Sequence, residues 1–214
     1  MVLVEGLSDR IFFDALLDAC GRTEASRTTI EVIAVGGKHF FEPYRSILRA
    51  CQIEHAVIAD LDYLEQIGTT VIKTLFAPDT TDIKKDAIDN EKSVDGDTLV
   101  QAIEMAMQSG KWDHAQSIWE YIKNRRKKLK AALSAAEGQA IDGFIEQKRS
   151  ESVFVLRKGQ LEDYLPPDVG KLKSLDSLIR FVGEKEFLKK LDHGAMEELA
   201  IIVKALLGTA APSA

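Results

Sequence analysis

Only two cysteines, Cys20 and Cys51, occur in 214 residues, and neither has a CxxC partner or a Cys/His spacing suited to zinc. A disulfide framework and a zinc site are therefore not expected, and a reducing cytoplasm fits best. Five prolines and 14 glycines leave no room for a long disordered or collagen-like tract. No apolar run approaches the ~20 residues needed to span a bilayer, and the chain opens on a strand pattern, not on a signal peptide. No GxxxxGK[ST] phosphate loop occurs, so this polypeptide alone is not a P-loop ATPase. No internal repeat is apparent.

What remains is ordinary globular material, 45% hydrophobic and 29% charged, long enough for one core with an insertion. The formal net charge of −6 argues on its face against a nucleic-acid partner. Acids clustered at one site weaken that argument, because bound divalent cations cancel them while local basic patches still steer a polyanion.

Strand and helix signals alternate at the start. "MVLVEG" is a short apolar run ending in Gly, and "SDRIFFDALLDACG" has helical spacing, with Ser8 as candidate N-cap and Gly21 as the stop. "TTIEVIAVGG" is β-branched, "FFEPYRSILRACQ" reads as the next helix and "HAVIADLD" as a third strand. Fully apolar strands in this order imply a parallel α/β sheet covered on both faces. Met1 standing directly against a core strand suggests part of a longer protein.

The rhythm stops between residues 67 and 150, where, apart from the ambiguous "TTVIKTLFA", charged helical periodicity dominates. The reading is a helical insertion over 67–150, flanked by core segments 1–66 and 151–214. Trp112 and Trp119, seven apart, fall on one face of that insertion. A strand returns at "SVFVLRKG". "SLDSLIRFVGEKEFLKKL" and "AMEELAIIVKALLG" read as two further amphipathic helices.

The acidic residues stand where the strands end. Glu5 closes the first, Asp60 and Asp62 follow the third, and Asp9 falls in the first turn of the first helix, where the dipole favours an anion. Ligands of parallel α/β sheets gather beyond these carboxyl ends. Converging carboxylates repel and raise one another's pKa, and divalent cations remove the conflict. All-oxygen donors favour magnesium, manganese or calcium over zinc. Against this, a single Asp at a strand end is most often a cap or turn residue, and D-x-D also arises by chance.

"VEGLSD", "VGGKHFF", "ADLDY" and "VLRKGQLEDYL", in this order, resemble the Toprim domain of the overcoming-lysogenization-defect (OLD) family of nucleases. The resemblance covers residues 1–66 and 150–166, and it implies a Toprim-type parallel sheet flanked by helices. It also implies metal-dependent cleavage of DNA phosphodiesters with two divalent ions, Mg2+ or Mn2+ with Ca2+ as an alternative. Glu5, Asp9, Asp60 and Asp62 would be ligands, and Glu5 and Asp60 would act in catalysis. Lys158 would face the developing charge on phosphorus. Full-length members resemble a fusion of an ABC-type ATPase to a C-terminal Toprim domain, so an N-terminal ATPase partner domain is implied.

Further site residues are expected on weaker patterns. Asp95 and Asp97 form another D-x-D, which can equally be a turn with an N-cap. Glu162 and Asp163 follow Lys158 closely enough for one to face the crevice. Lys38 follows two glycines that allow close approach to a phosphate. The run "KNRRKKLK" puts Arg125, Arg126 and Lys127 on a helical segment, as a DNA-backbone surface or a solvated charge run. No base-reading motif is present, so recognition of DNA with little sequence specificity is expected. Two other readings stay open: a Toprim-fold module that binds metal and DNA without cutting, and an aspartyl phosphotransferase using Asp60.

Overall fold

The computed structural model describes residues 1–22, 30–78, 105, 108–110, 127–170 and 174–208. In chain order it contains β1 (Val2–Val4), α1 (Leu7–Ala19), β2 (Val32–Ala34), α2 (Phe41–Ala50), β3 (Ala56–Ala59), α3 (Leu64–Ile67) and α4 (Thr70–Lys73). Then follow β4 (Phe76–Pro78), β5 (Lys127–Leu129), α5 (Ala135–Ser150), β6 (Val153–Val155), α6 (Pro167–Gly170), α7 (Leu175–Val182) and α8 (His193–Leu207). The chain divides into two compact units, Met1–Gln66 with Ile141–Ala214, and Ile67–Ala140.

The first unit is built on a four-stranded, all-parallel sheet in the order β2-β1-β3-β6. This is the Toprim-type α/β architecture expected from the sequence. Successive side chains of a strand point to opposite faces. Val2, Val4, Ile58 and Phe154 share one buried cluster with Phe12, Phe13, Leu16 and Leu17 of α1 and with Phe181, Leu199, Ile202 and Val203 of α7 and α8. The alternate residues Leu3, Val57, Val153 and Val155 are equally buried. The path β1–β2 steps one way along the sheet and β2–β3 steps back, so right-handed crossovers put α1 and α2 on opposite faces. Phe41 of α2 packs edge-on against Tyr63, with ring centroids 5.0 Å apart.

That reversal creates a switch point between the neighbouring strands β1 and β3. Leu3 pairs with Val57, so Glu5, two residues on, leaves the sheet level with Ala59 and beside Asp60. Two carboxylates 55 positions apart in sequence are thereby neighbours at the sheet edge where α/β ligands bind.

Three local expectations are corrected. The N-cap of α1 is Gly6 rather than Ser8, because the Asp9 carboxylate already reaches back to the Gly6 amide at 2.8 Å. The stretch read as one helix over 174–191 breaks after α7, at Gly183, and resumes as a 3₁₀ turn at Phe187–Lys190. The break lets Phe187 meet the rings of Phe12 and Phe181, at 6.3 and 5.6 Å.

The third correction lies in the second unit, where the end of the basic run is a strand. Lys127–Leu129 pairs antiparallel with Phe76–Pro78, and ladder hydrogen bonds to a distant segment override a local helical pattern. Asp95, Asp97, Trp112, Trp119, Arg125, Arg126 and the side chain of Lys127 lie outside the described residues.

Candidate metal centre

The backbone carbonyl of Glu5 accepts from the amides of Gly36 at 2.9 Å and Gly37 at 3.1 Å. Both glycines have positive φ, +87° and +136°, a conformation that strains any residue with a Cβ. Their turn folds the chain after β2 over the end of β1 and brings the Lys38 amide to the Glu5 carboxylate. The Lys38 ammonium reaches Asp62 Oδ2 at 2.6 Å and lies 4.0 Å from Glu65. The other Asp62 oxygen, Oδ1, is buried with no hydrogen-bond partner.

Electrostatics tie these acids together. Burial, followed by the charges of Asp9, Glu5, Asp62 and Glu162, pushes the Asp60 carboxyl up to about 8. Glu5 is raised by burial and then by Asp62, against the pull of Lys38. Asp9 is raised by burial and by Glu162, with the Gly6 amide opposing. Five carboxylates from four segments thus act on one another where β1 and β3 end. Their positions follow from the fold: Glu5 and Asp60 end adjacent strands, Asp9 opens α1, Asp62 lies in the 3₁₀ turn after β3, and Glu162 lies in the 3₁₀ turn Leu161–Asp163 after β6.

Glu162 and Asp163 have different neighbours. Asp163 Oδ2 accepts from the Gln160 amide at 2.8 Å, closing its own turn, while Glu162 acts on Asp9 and Asp60. Gly159 makes this turn possible. Its φ is +131°, and a Cβ there would fall 2.4 Å from Asp163 Oδ2. Its carbonyl accepts from the Leu61 amide at 2.8 Å, locking the loop after β6 to the residue after Asp60.

Lys158 belongs to that loop, but its ammonium is held elsewhere, 2.6 Å from both oxygens of Asp192. Asp192 also caps α8 by accepting from the Ala195 amide at 2.9 Å. Lys158 Nζ stands 5.6 Å from the Tyr164 ring centroid. Sequence reasoning missed Asp192, Tyr164 and Glu198. Only the N-cap position of Asp192 before "HGAMEE" had a local signal.

Residues 1–62 match the family model described as overcoming lysogenization defect protein-like, TOPRIM domain. This segment is similar to an OLD-like Toprim domain. Comparison with curated proteins and with solved structures gave no match. A Toprim domain of this family points to divalent-metal binding, to nuclease- or primase-type chemistry and to interaction with DNA. Among the described residues no helix is long and apolar enough to cross a membrane.

Also among the described residues, no three Asp, Glu, His or Cys side chains of the Toprim unit or the second unit stand at the spacing that closes on an ion. Unscreened carboxylates repel, and Lys38 serves as the counter-ion of Asp62. The donor set nevertheless fits a hard divalent cation. It consists of carboxylate oxygens, it includes the unpartnered buried Asp62 Oδ1, and it contains Asp60, an acid that burial and its neighbours strongly disfavour as an anion. A bound cation relieves both.

Proposed function

We propose that the Toprim domain is a divalent-metal-dependent DNA endonuclease using a two-metal mechanism and cutting or nicking with little sequence specificity. The observation that carries this reading is Asp60 at the switch point, half-buried among Glu5, Asp9, Asp62 and Glu162 and pushed up to about 8 by desolvation and those four charges. Glu5, Asp9, Asp60, Asp62 and Glu162 would hold the ions. Bound Mg2+ or Mn2+ supplies Lewis-acid polarisation of the scissile phosphate and lowers the pKa of the attacking water.

Lys38, now paired with Asp62, would contact a DNA phosphate when that carboxylate serves as a ligand. Lys158, on the loop fastened beside Asp60, turns its ammonium towards the charge developing on phosphorus, where a preorganised cation is most effective. Arg125, Arg126 and Lys127 add backbone contacts, which makes binding salt-dependent. An ABC-type ATPase domain preceding this chain in the full-length protein, and a cytoplasmic setting, belong to the same proposal.

The pairing of both lysines with protein carboxylates, Lys38 with Asp62 and Lys158 with Asp192, favours one second reading, a module that binds metal and DNA without cutting. Incubation with supercoiled plasmid in Mg2+, Mn2+, Ca2+ or EDTA, beside Asp60→Ala, separates the two. Metal-dependent nicking or linearisation that Asp60→Ala abolishes is the expected result. DNA binding by a folded protein that cuts with none of the metals would leave only the second reading.

A further inference from the structure

The loop that carries Lys158 is held from an unexpected direction. Glu198, in the middle of α8, accepts two hydrogen bonds: the Arg157 amide donates to Oε1 at 2.9 Å, and the Tyr164 hydroxyl donates to Oε2 at 2.5 Å. The same hydroxyl oxygen accepts from the Lys158 amide at 3.1 Å. Two consecutive amides of the loop therefore end, directly or through one phenol, on a single carboxylate. Tyr164 is only 1% exposed, and burial with the Glu198 bond holds its hydroxyl far above the normal tyrosine range, so the phenol remains a donor. On its other side the loop is fixed by the Gly159 carbonyl and the Leu61 amide. Hydrogen bonds joined through the Lys158–Gly159 backbone thus link α8 and Tyr164 to the residue after Asp60.

We propose that Glu198 and Tyr164 are a positioning pair that sets the backbone of Lys158 against the Asp60 end of the sheet. The physical case rests on what the pair replaces. The turn after β6 frees amides that no strand accepts, and an amide shielded from water without a partner is unfavourable. A water or a flexible side chain could satisfy them loosely. A helix-borne carboxylate whose second oxygen accepts from a buried phenol restricts the placement of both side chains, because each bond fixes the other's direction. Arg157 adds a second restraint, its guanidinium bonding Asp142 at 3.0 Å and Glu146 at 2.5 Å on α5. The Lys158 side chain stays free to exchange Asp192 for a substrate phosphate while its Cα does not move. This inference rests on the nuclease reading only for the role of Lys158, not for the network.

Two measurements test it. Amide hydrogen exchange of the metal-free protein reads the network without any catalysis. Glu198→Ala is expected to speed exchange at Arg157 and Lys158 by about tenfold, as loss of a half-buried acceptor implies. Tyr164→Phe should affect Lys158 more than Arg157, and Glu198→Gln should retain most protection. Plasmid cleavage then follows in a double-mutant cycle. Glu198→Ala is expected to lower kcat about tenfold with KM unchanged, and to add nothing in a Lys158→Ala background.

Unchanged exchange at both amides, in either Tyr164→Phe or Glu198→Ala, would overturn the proposal. So would a Glu198 effect that adds fully to that of Lys158→Ala, which is the behaviour of a general strut. If the wild type cuts DNA with no metal, the nuclease reading fails and the exchange result alone decides on the positioning pair.

Discussion

Replacing Asp60 by Asn should make the metal-free protein more stable, and increasingly so as pH rises. The Asp60 carboxyl is lifted from 3.8 to about 8 by burial first and by Asp9, Glu5, Asp62 and Glu162 after it. Between those two values the native state holds a proton that the unfolded chain has released. Stability therefore falls with rising pH across this window, by about 1.4 kcal/mol per pH unit for one independent group. Over the full window the upper bound is roughly 6 kcal/mol, and proton sharing within a coupled carboxylate cluster reduces this to a few kcal/mol.

Asn at position 60 cannot ionise, so its variant should lack most of this slope while matching the wild type near pH 4. Urea unfolding in EDTA at pH 4, 6 and 8.5 reads the effect directly. Saturating Mg2+ should flatten the wild-type slope and add about 2.7 kcal/mol at a hundredfold excess over Kd. Parallel pH profiles for the wild type and Asp60→Asn in EDTA would refute the reasoning, because Asp60 would then be an ordinary solvated acid.

Two further substitutions probe the neighbouring turns. Gly159→Ala places a Cβ 2.4 Å from Asp163 Oδ2 at φ +131°, so it should destabilise the Toprim unit by roughly 1–3 kcal/mol. Thermal unfolding checks this, and an unchanged Tm would mean that the turn relaxes freely. Lys38→Ala should weaken DNA binding and reduce the slope of log K against log salt by about one. A fluorescence titration at several salt concentrations in Ca2+ measures it, and an unaltered slope would place Lys38 off the DNA.

The sequence alone determined the apolar runs that become β1, β2, β3 and β6, and it placed acids and glycines at their ends. A buried parallel strand must be apolar on both faces, and that requirement is written in consecutive residues. Glu5, Asp9, Asp60 and Asp62 were legible for the same reason, since a strand end and a helix first turn are local features. Helix α2 and the last helix, α8, were also readable from spacing.

The remaining features rest on contacts between residues far apart in the chain, which no local pattern encodes. Strand order β2-β1-β3-β6 makes Glu5 and Asp60 neighbours, and backbone pairing across β1 and β3 decides it. Ladder bonds to Phe76–Pro78 turn the end of the basic run into β5, although its spacing reads as helix. The division of labour between Glu162 and Asp163 depends on a single turn closed by the Gln160 amide. Partner choice was the least legible of all. Lys38 selects Asp62, Lys158 selects Asp192, and Glu198 takes the Arg157 amide. A charged or polar side chain states what chemistry it can offer, and only the packed fold decides which group comes within about 3 Å to receive it.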